Sequence, residues 1–170
     1  MLFEDESEAL THPYLATVWA KRGADLRVEA PGKATKVAML GVREALLGEL
    51  LIHTSATKRS TDFIALLERL DLLYGPGSCV APVPVVLVLD NGPIHTSKVS
   101  TKALVARSSW LSVEWLPKYA PELNAIERDW LHLKGRFLAN RVFADAGELD
   151  QCIHASVRAI NAERVRKPCA

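Results

Sequence analysis

Three acids in this sequence suit a shared chemistry: Asp5 in Glu4-Asp5-Glu6, Asp90 directly after Val85-Val86-Leu87-Val88-Leu89, and Glu127 in Asn124-Ala125-Ile126-Glu127. Carboxylates drawn into one site repel one another unless cations bind them. Magnesium fits such a set, because it takes oxygen ligands, keeps several waters and is often held by one or two carboxylates together with substrate phosphate. Two such ions about 4 Å apart activate the attacking oxygen and stabilise the leaving one in phosphodiester chemistry. The sequence holds no Ser-His-Asp order, glycine-rich phosphate loop or HExxH helix to carry a competing reaction. Each acid also has a plainer role open to it. Asp90 suits a cap on the Asn91-Gly92 turn. Asn124 with Glu127 three residues on matches a capping box. Glu4-Asp5-Glu6 also reads as an exposed acidic terminus.

The elements that must position these acids follow from periodicity. Leu2–Asp5 reads as the stub of a strand that the acids end. Lys36–Arg43 and Leu47–Thr54 are apolar runs with Gly48 near the turn, an antiparallel hairpin. Phe63, Ile64, Leu66, Leu67, Leu70 and Leu73 recur at helical spacing over Thr61–Tyr74, and Gly75-Pro76-Gly77 stops that helix. Val83–Leu89 is a β-branched run fit for a strand buried on both faces. It ends at Asp90, where open α/β sheets place their ligand sites. Ser97–Arg107 reads as a helix and Leu111–Trp115 as a half-buried strand. Leu123, Ile126, Trp130, Leu133 and Phe137 form the apolar stripe of a helix over about Ala125–Asn140, with Asn124 as N-cap. A last helix spans Ala146 to about Glu163. The expected fold is α/β, a mixed sheet flanked by helices in a single domain.

Bulk properties set limits. The 170 residues suit one domain, with 49% hydrophobic and 24% charged residues. No apolar run approaches the roughly 18 residues that span a bilayer. The acidic start lacks the basic and apolar regions of a signal peptide, so the cytoplasm is the expected compartment. Cys79, Cys152 and Cys169 are too few and too scattered for a disulfide framework or a zinc site. The net charge is +1, but its distribution is uneven. Residues 1–90 hold 9 Lys/Arg against 12 Asp/Glu, and residues 91–170 hold 12 against 8. The basic second half offers contacts for phosphates, or simply solvated helix faces.

Two longer blocks are more specific. Asp90-Asn91-Gly92-Pro93-Ile94-His95, and then Leu116-Pro117-Lys118-Tyr119-Ala120-Pro121-Glu122-Leu123-Asn124-Ala125-Ile126-Glu127-Arg128-Asp129-Trp130 with Lys134, resemble the signature blocks of DDE transposases. The resemblance is to the bacterial insertion-sequence branch related to mariner elements. That family has a strand ending in Asp-Asn-x-x-x-His, then Leu-Pro-x-Tyr-Ser-Pro-x-Leu-Asn-Pro-Ile-Glu leading into a helix. The 36 residues between Asp90 and Glu127 are close to its spacing. Phe3-Glu4-Asp5-Glu6-Ser7 is similar to the block carrying the first catalytic acid, and Trp19-Ala20-Lys21-Arg22-Gly23 resembles the Trp-x-x-x-Gly segment that follows it. Ala120 and Ala125 stand where the family has Ser and Pro.

The resemblance implies a ribonuclease-H-like fold in which Asp5, Asp90 and Glu127 are the catalytic acids and hold two Mg²⁺ or Mn²⁺ ions. It implies cleavage and strand transfer at transposon DNA ends. Asn91, His95 and Asn124 become supporting residues, and Lys98, Lys118, Arg128 and Lys134 become contacts for the DNA backbone. The expected partners are DNA, both transposon ends and target, and a second copy of the chain or a protein supplying a helix-turn-helix. That DNA-binding domain, which the family carries before the first acid, is expected to be absent from this chain. The rival expectations are a ribonuclease-H-like nuclease that does not transpose, and an idle remnant that binds or inhibits an intact transposase.

Overall fold

A computed structural model describes residues 1–28, 32–78, 84–118 and 120–165; Cys79, Val83, Tyr119 and Cys169 lie outside the described residues. The strands are β1 (Leu2–Leu10), β2 (Lys36–Glu44), β3 (Leu50–Ser55), β4 (Val85–Leu89) and β5 (Leu111–Trp115). They form one sheet in the order β3-β2-β1-β4-β5, antiparallel across β3-β2-β1 and parallel across β1-β4-β5. The helices are α1 (Ser60–Tyr74), α2 (Pro93–Thr96), α3 (Lys98–Val105), α4 (Glu127–His132) and α5 (Ala146–Val165). This is the expected mixed sheet flanked by helices.

Alternation along the strands splits the core into two layers. Leu2, Leu40, Val42, Val85, Leu87 and Leu89 point to one face and pack under α1 and α3. Val37, Met39, Leu50 and Ile52 point to the other and pack under α4 and α5. On α1, Phe63, Leu66, Leu67 and Leu70 are fully or almost fully buried, the i, i+3, i+4, i+7 stripe that the sequence announces. Burying each such side chain contributes roughly 1.5–3 kcal/mol.

Three expectations are corrected. β1 is a nine-residue central strand, not a stub, because all of Leu2–Leu10 pairs with the strongly apolar β2. Pairing overrides the weak strand preference of Glu6-Ser7-Glu8. β3 starts at Leu50 rather than Leu47. The Glu44 carboxylate accepts the N–H groups of Leu46 and Leu47 and draws both into the turn, where Gly48 takes φ +72°.

The long helix is also different. A 3₁₀ turn, Pro121–Leu123, comes first and α4 begins only at Glu127. Leu123, assigned to the buried stripe, is 53% exposed because that turn lies out of phase with the helix. Asn124 does not cap α4; its Nδ2 donates to the Glu4 carbonyl instead, 2.8 Å away, so no capping box forms. From Leu133 to Leu138 the helix continues as a π-helix. Asn140, with φ +56°, ends it.

Candidate active site

The register of the sheet brings the first two acids together. Leu2 pairs with Leu87 and Phe3 with Val88, and continuing that parallel register two residues sets Asp5 level with Asp90. In-register neighbours share a face, so both side chains turn toward the α4 side. β4 stops at Leu89 while β1 runs on to Leu10, which opens a cleft beside the central strand. α4 crosses that cleft with Glu127 as its first residue. The result is a cavity of about 430 Å³ lined by Asp5, Asp90, Asn91, Lys118, Asn124 and Glu127, closed on one side by Leu116-Pro117.

Each aspartate has one oxygen held by protein donors. Asp5 Oδ2 accepts the Trp130 indole N–H at 3.0 Å. Asp90 Oδ1 accepts the Gly92 N–H and His95 Nδ1, both at 2.7 Å. Asp90 therefore does cap its turn, and still lines the cavity. A Cβ at position 92 would lie 2.8 Å from Asp90 Oδ1, so glycine leaves room for this clasp. Asn91 Nδ2 donates to the Leu116 carbonyl at 2.7 Å and ties the segment after β5 to the cavity.

Behind Asp90 lies a buried clasp that sequence reasoning missed. Glu4 and His95 are both fully buried, and His95 Nε2 stands 2.8 Å from Glu4 Oε2. Glu6 lies 4.0 Å from the same nitrogen. Burial alone would lower the His95 pKa, but the hydrogen bond and charge of Glu4, with Glu6 and Asp90, raise it to about 9. The Glu4 carboxyl is raised by desolvation, which the His95 contact opposes. Strand alternation is the available signal: Glu4 and Glu6 must face opposite to Asp5.

The free-acid site is electrostatically loaded. Asp5 is raised from 3.8 to about 7, by burial first and then by the charges of Glu127 and Glu6. Asn124 Oδ1 is buried and has no hydrogen-bond partner among the described residues. An aspartate that resists ionising, grouped with two further carboxylates beside an orphaned amide oxygen, fits hard divalent cations, which take oxygen ligands. Glu6, Asp90 and His95 also bring ligand atoms within 4.8 Å of one another. In that cluster both imidazole nitrogens face carboxylates, Nε2 toward Glu4 and Nδ1 toward Asp90, and a protonated ring would have no lone pair for a metal.

The remaining expected contacts divide. Lys118 is exposed on the cavity wall. Lys98 and Arg128 are exposed but do not line it. Lys134 is half-buried over the Tyr14 ring, and burial lowers its pKa against the pull of Glu8, Glu127 and Asp5. α4 itself is pinned by Asp129, buried between Arg43, at 2.9 Å, and Arg164.

A family model for DDE superfamily endonucleases matches residues 1–150. A curated relative, the insertion element IS630 uncharacterized 39 kDa protein of Shigella sonnei, is 29% identical over 140 residues. That match takes in 82% of this chain and 39% of the relative, so the chain spans well under half of the relative's length. Among solved structures, a Mos1 transposase paired-end complex with the left transposon end superposes with a TM-score of 0.63 at 14% identity, over 96% of this chain and 52% of the other. A Mos1 mariner paired-end complex with Mn gives 0.54 at 18% identity, over 98% and 53%. These likenesses show the ribonuclease-H-like fold of the sheet and its helices.

Proposed function

Because the chain belongs to the DDE superfamily of endonucleases, we propose that it is the catalytic domain of a transposase, cleaving phosphodiester bonds at transposon ends and joining them to target DNA. The observation that carries this reading is the convergence of Asp5, Asp90 and Glu127, from a central strand, a strand end and a helix start, on one cavity. We assign the catalytic role to these three acids, as holders of two divalent ions, Mg²⁺ or Mn²⁺.

When bound, such ions supply Lewis acidity at the attacking and leaving oxygens. The chain does the rest. Asp5 and Asp90 each present one oxygen to the cavity because the other is held by Trp130 or by Gly92 and His95. The buried Glu4–His95 pair fixes Asp90 from behind. Asn124 binds the β1 backbone at Glu4 and sets the distance between α4 and Asp5. Lys118 on the wall offers a cation to the DNA backbone, and Lys98, Arg128 and Lys134 extend that role along the strand.

Assembly and end recognition belong to the same proposal. Leu15, Val18, Trp19 and Leu26 are exposed on the arm between β1 and β2, with Trp19 wholly uncovered. An apolar arm of this kind favours a second copy of the chain as partner. We assign reading of the transposon end to a helix-turn-helix region, for which the longer relative has room, and the site of action to the bacterial cytoplasm.

The test is nicking of supercoiled plasmid and of terminal-repeat duplex by the purified chain with Mg²⁺ or Mn²⁺. Cleavage that vanishes in Asp5→Ala, Asp90→Ala and Glu127→Ala supports the reading. Cleavage that survives Asp90→Ala overturns the assignment, and a wild-type chain that binds DNA without cutting it is an idle partner.

A further inference from the structure

We propose that Trp130 is a positioning residue for this reaction: its indole N–H fixes the rotation of the Asp5 carboxylate and so decides which oxygen faces the cation. The inference rests on the metal-site reading above. Four features of the fold converge on it.

The indole Nε1 donates to Asp5 Oδ2 at 3.0 Å. Trp130 is 3% exposed, and an indole has that single donor and no acceptor. Rotating the Asp5 carboxylate away would strand a buried N–H, which is costly. The bond is also charge-assisted once Asp5 ionises. The ring, in turn, is held by an absence. Gly41 is the cross-strand partner of Asp5 in the β1–β2 ladder, so the two share a face. A Cβ on Gly41 would lie 2.4 Å from Trp130 Cη2 and 2.8 Å from Cζ2. Glycine beside Asp5 thus leaves the slot that the indole fills. Finally, Trp130 follows Glu127 by three residues, so both project from one side of α4. The same helical turn delivers an acid and the donor that orients its neighbour. His95 and Gly92 do the equivalent for Asp90 from the other side.

The experiment titrates Mn²⁺ into the full chain by calorimetry and measures plasmid nicking in parallel. It compares wild type, Trp130→Phe, and a chain in which Trp130 is replaced by benzothienylalanine, an isostere with sulfur in place of the N–H. Outer-shell partners of metal ligands typically change affinity or activity by roughly 10–100-fold. Both replacements are expected to weaken Mn²⁺ binding and lower kcat within that range while KM for DNA stays unchanged. Leu149→Ala, which loosens the same core from α5, is expected to lower Tm and keep the Mn²⁺ affinity. An isostere that binds Mn²⁺ as tightly as wild type overturns the inference, and it decides the matter should Trp130→Phe not fold. A wild-type chain without Mn²⁺ affinity, or an Asp90→Ala chain with undiminished affinity, overturns the metal-site reading underneath.

Discussion

The replacement Asp5→Asn should stabilise the metal-free protein, which is the reverse of what loss of a buried contact would do. Folding raises the Asp5 pKa from 3.8 to about 7. The unfolded chain therefore releases this proton near pH 4 while the folded protein keeps it until about pH 7. Across that window the folded state binds more protons, so stability falls as pH rises and the loss is complete above about 7. The rise from 3.8 to about 7, at about 1.4 kcal/mol per tenfold change in proton affinity, gives an upper figure near 4 kcal/mol. Asp5 opens on a solvated cavity, so screening reduces the expected gain to about 2 kcal/mol. Asparagine keeps an oxygen for the Trp130 N–H and carries no charge to repel Glu127 and Glu6. In a chain of this size that corresponds to roughly 4–8 °C in Tm. The assay is thermal and urea unfolding of both proteins in EDTA from pH 4 to 8, then again with Mn²⁺. The variant should match wild type near pH 4 and exceed it at pH 8. Mn²⁺ at about 100 times its Kd should add about 2.7 kcal/mol to wild type and much less to the variant, inverting their order. Equal stability at pH 8 without metal, or a difference that does not change with pH, would refute the reasoning.

Three further outcomes follow from the same geometry. His95→Ala leaves Glu4 buried without its partner and should cost about 3–5 kcal/mol near pH 6 by urea unfolding. Since the His95 pKa is raised from 6.5 to about 9, its contribution is whole below about 6.5 and is lost as pH rises through 9, so the cost should shrink near pH 10. Gly41→Ala forces a methyl into the Trp130 ring and should cost about 1–3 kcal/mol as an overpacked site, with an altered Trp130 indole signal in NMR. Lys118→Ala should weaken DNA binding uniformly across sequences and reduce the slope of log affinity against log salt by about 1; an unchanged slope would remove Lys118 from the DNA path.

How far the site could be read from the sequence differs residue by residue. Asp90 and Glu127 stood out as candidates because one ends a run of apolar residues and the other borders an apolar stripe, which in three dimensions holds from Ile126 onward. Asp5 was legible only through the family resemblance, because Glu4-Asp5-Glu6 looks like a polar tail until β2 pairs with it. The Glu4–His95 clasp joins residues 91 positions apart (95 less 4), and no local pattern announces such a contact. Asn124 was misread for a physical reason: α4 starts only at Glu127 with Ile126 at its N-cap position, so the Asn124 side-chain oxygen is not at the helix end, and its amide N–H ties to the Glu4 carbonyl. The Trp130–Asp5 bond was half visible, since Trp130 belonged to the expected stripe but its N–H had no assigned partner.

The π-helical stretch after α4 has a bearing on what sequence changes this chain can absorb. Leu133 and Leu138, both fully buried, stand five residues apart. In a regular α-helix such a pair would diverge by about 140° around the axis, and one of them would leave the core. The wider turn is what lets both face inward, in the manner of an extra residue taken up within an α-helix. Deleting one residue between them should therefore restore an ordinary helix with both leucines still inward, and spare Glu127 upstream. An insertion there has no such slack to use. Relatives that differ in length across this segment are expected to be shorter by one residue, not longer.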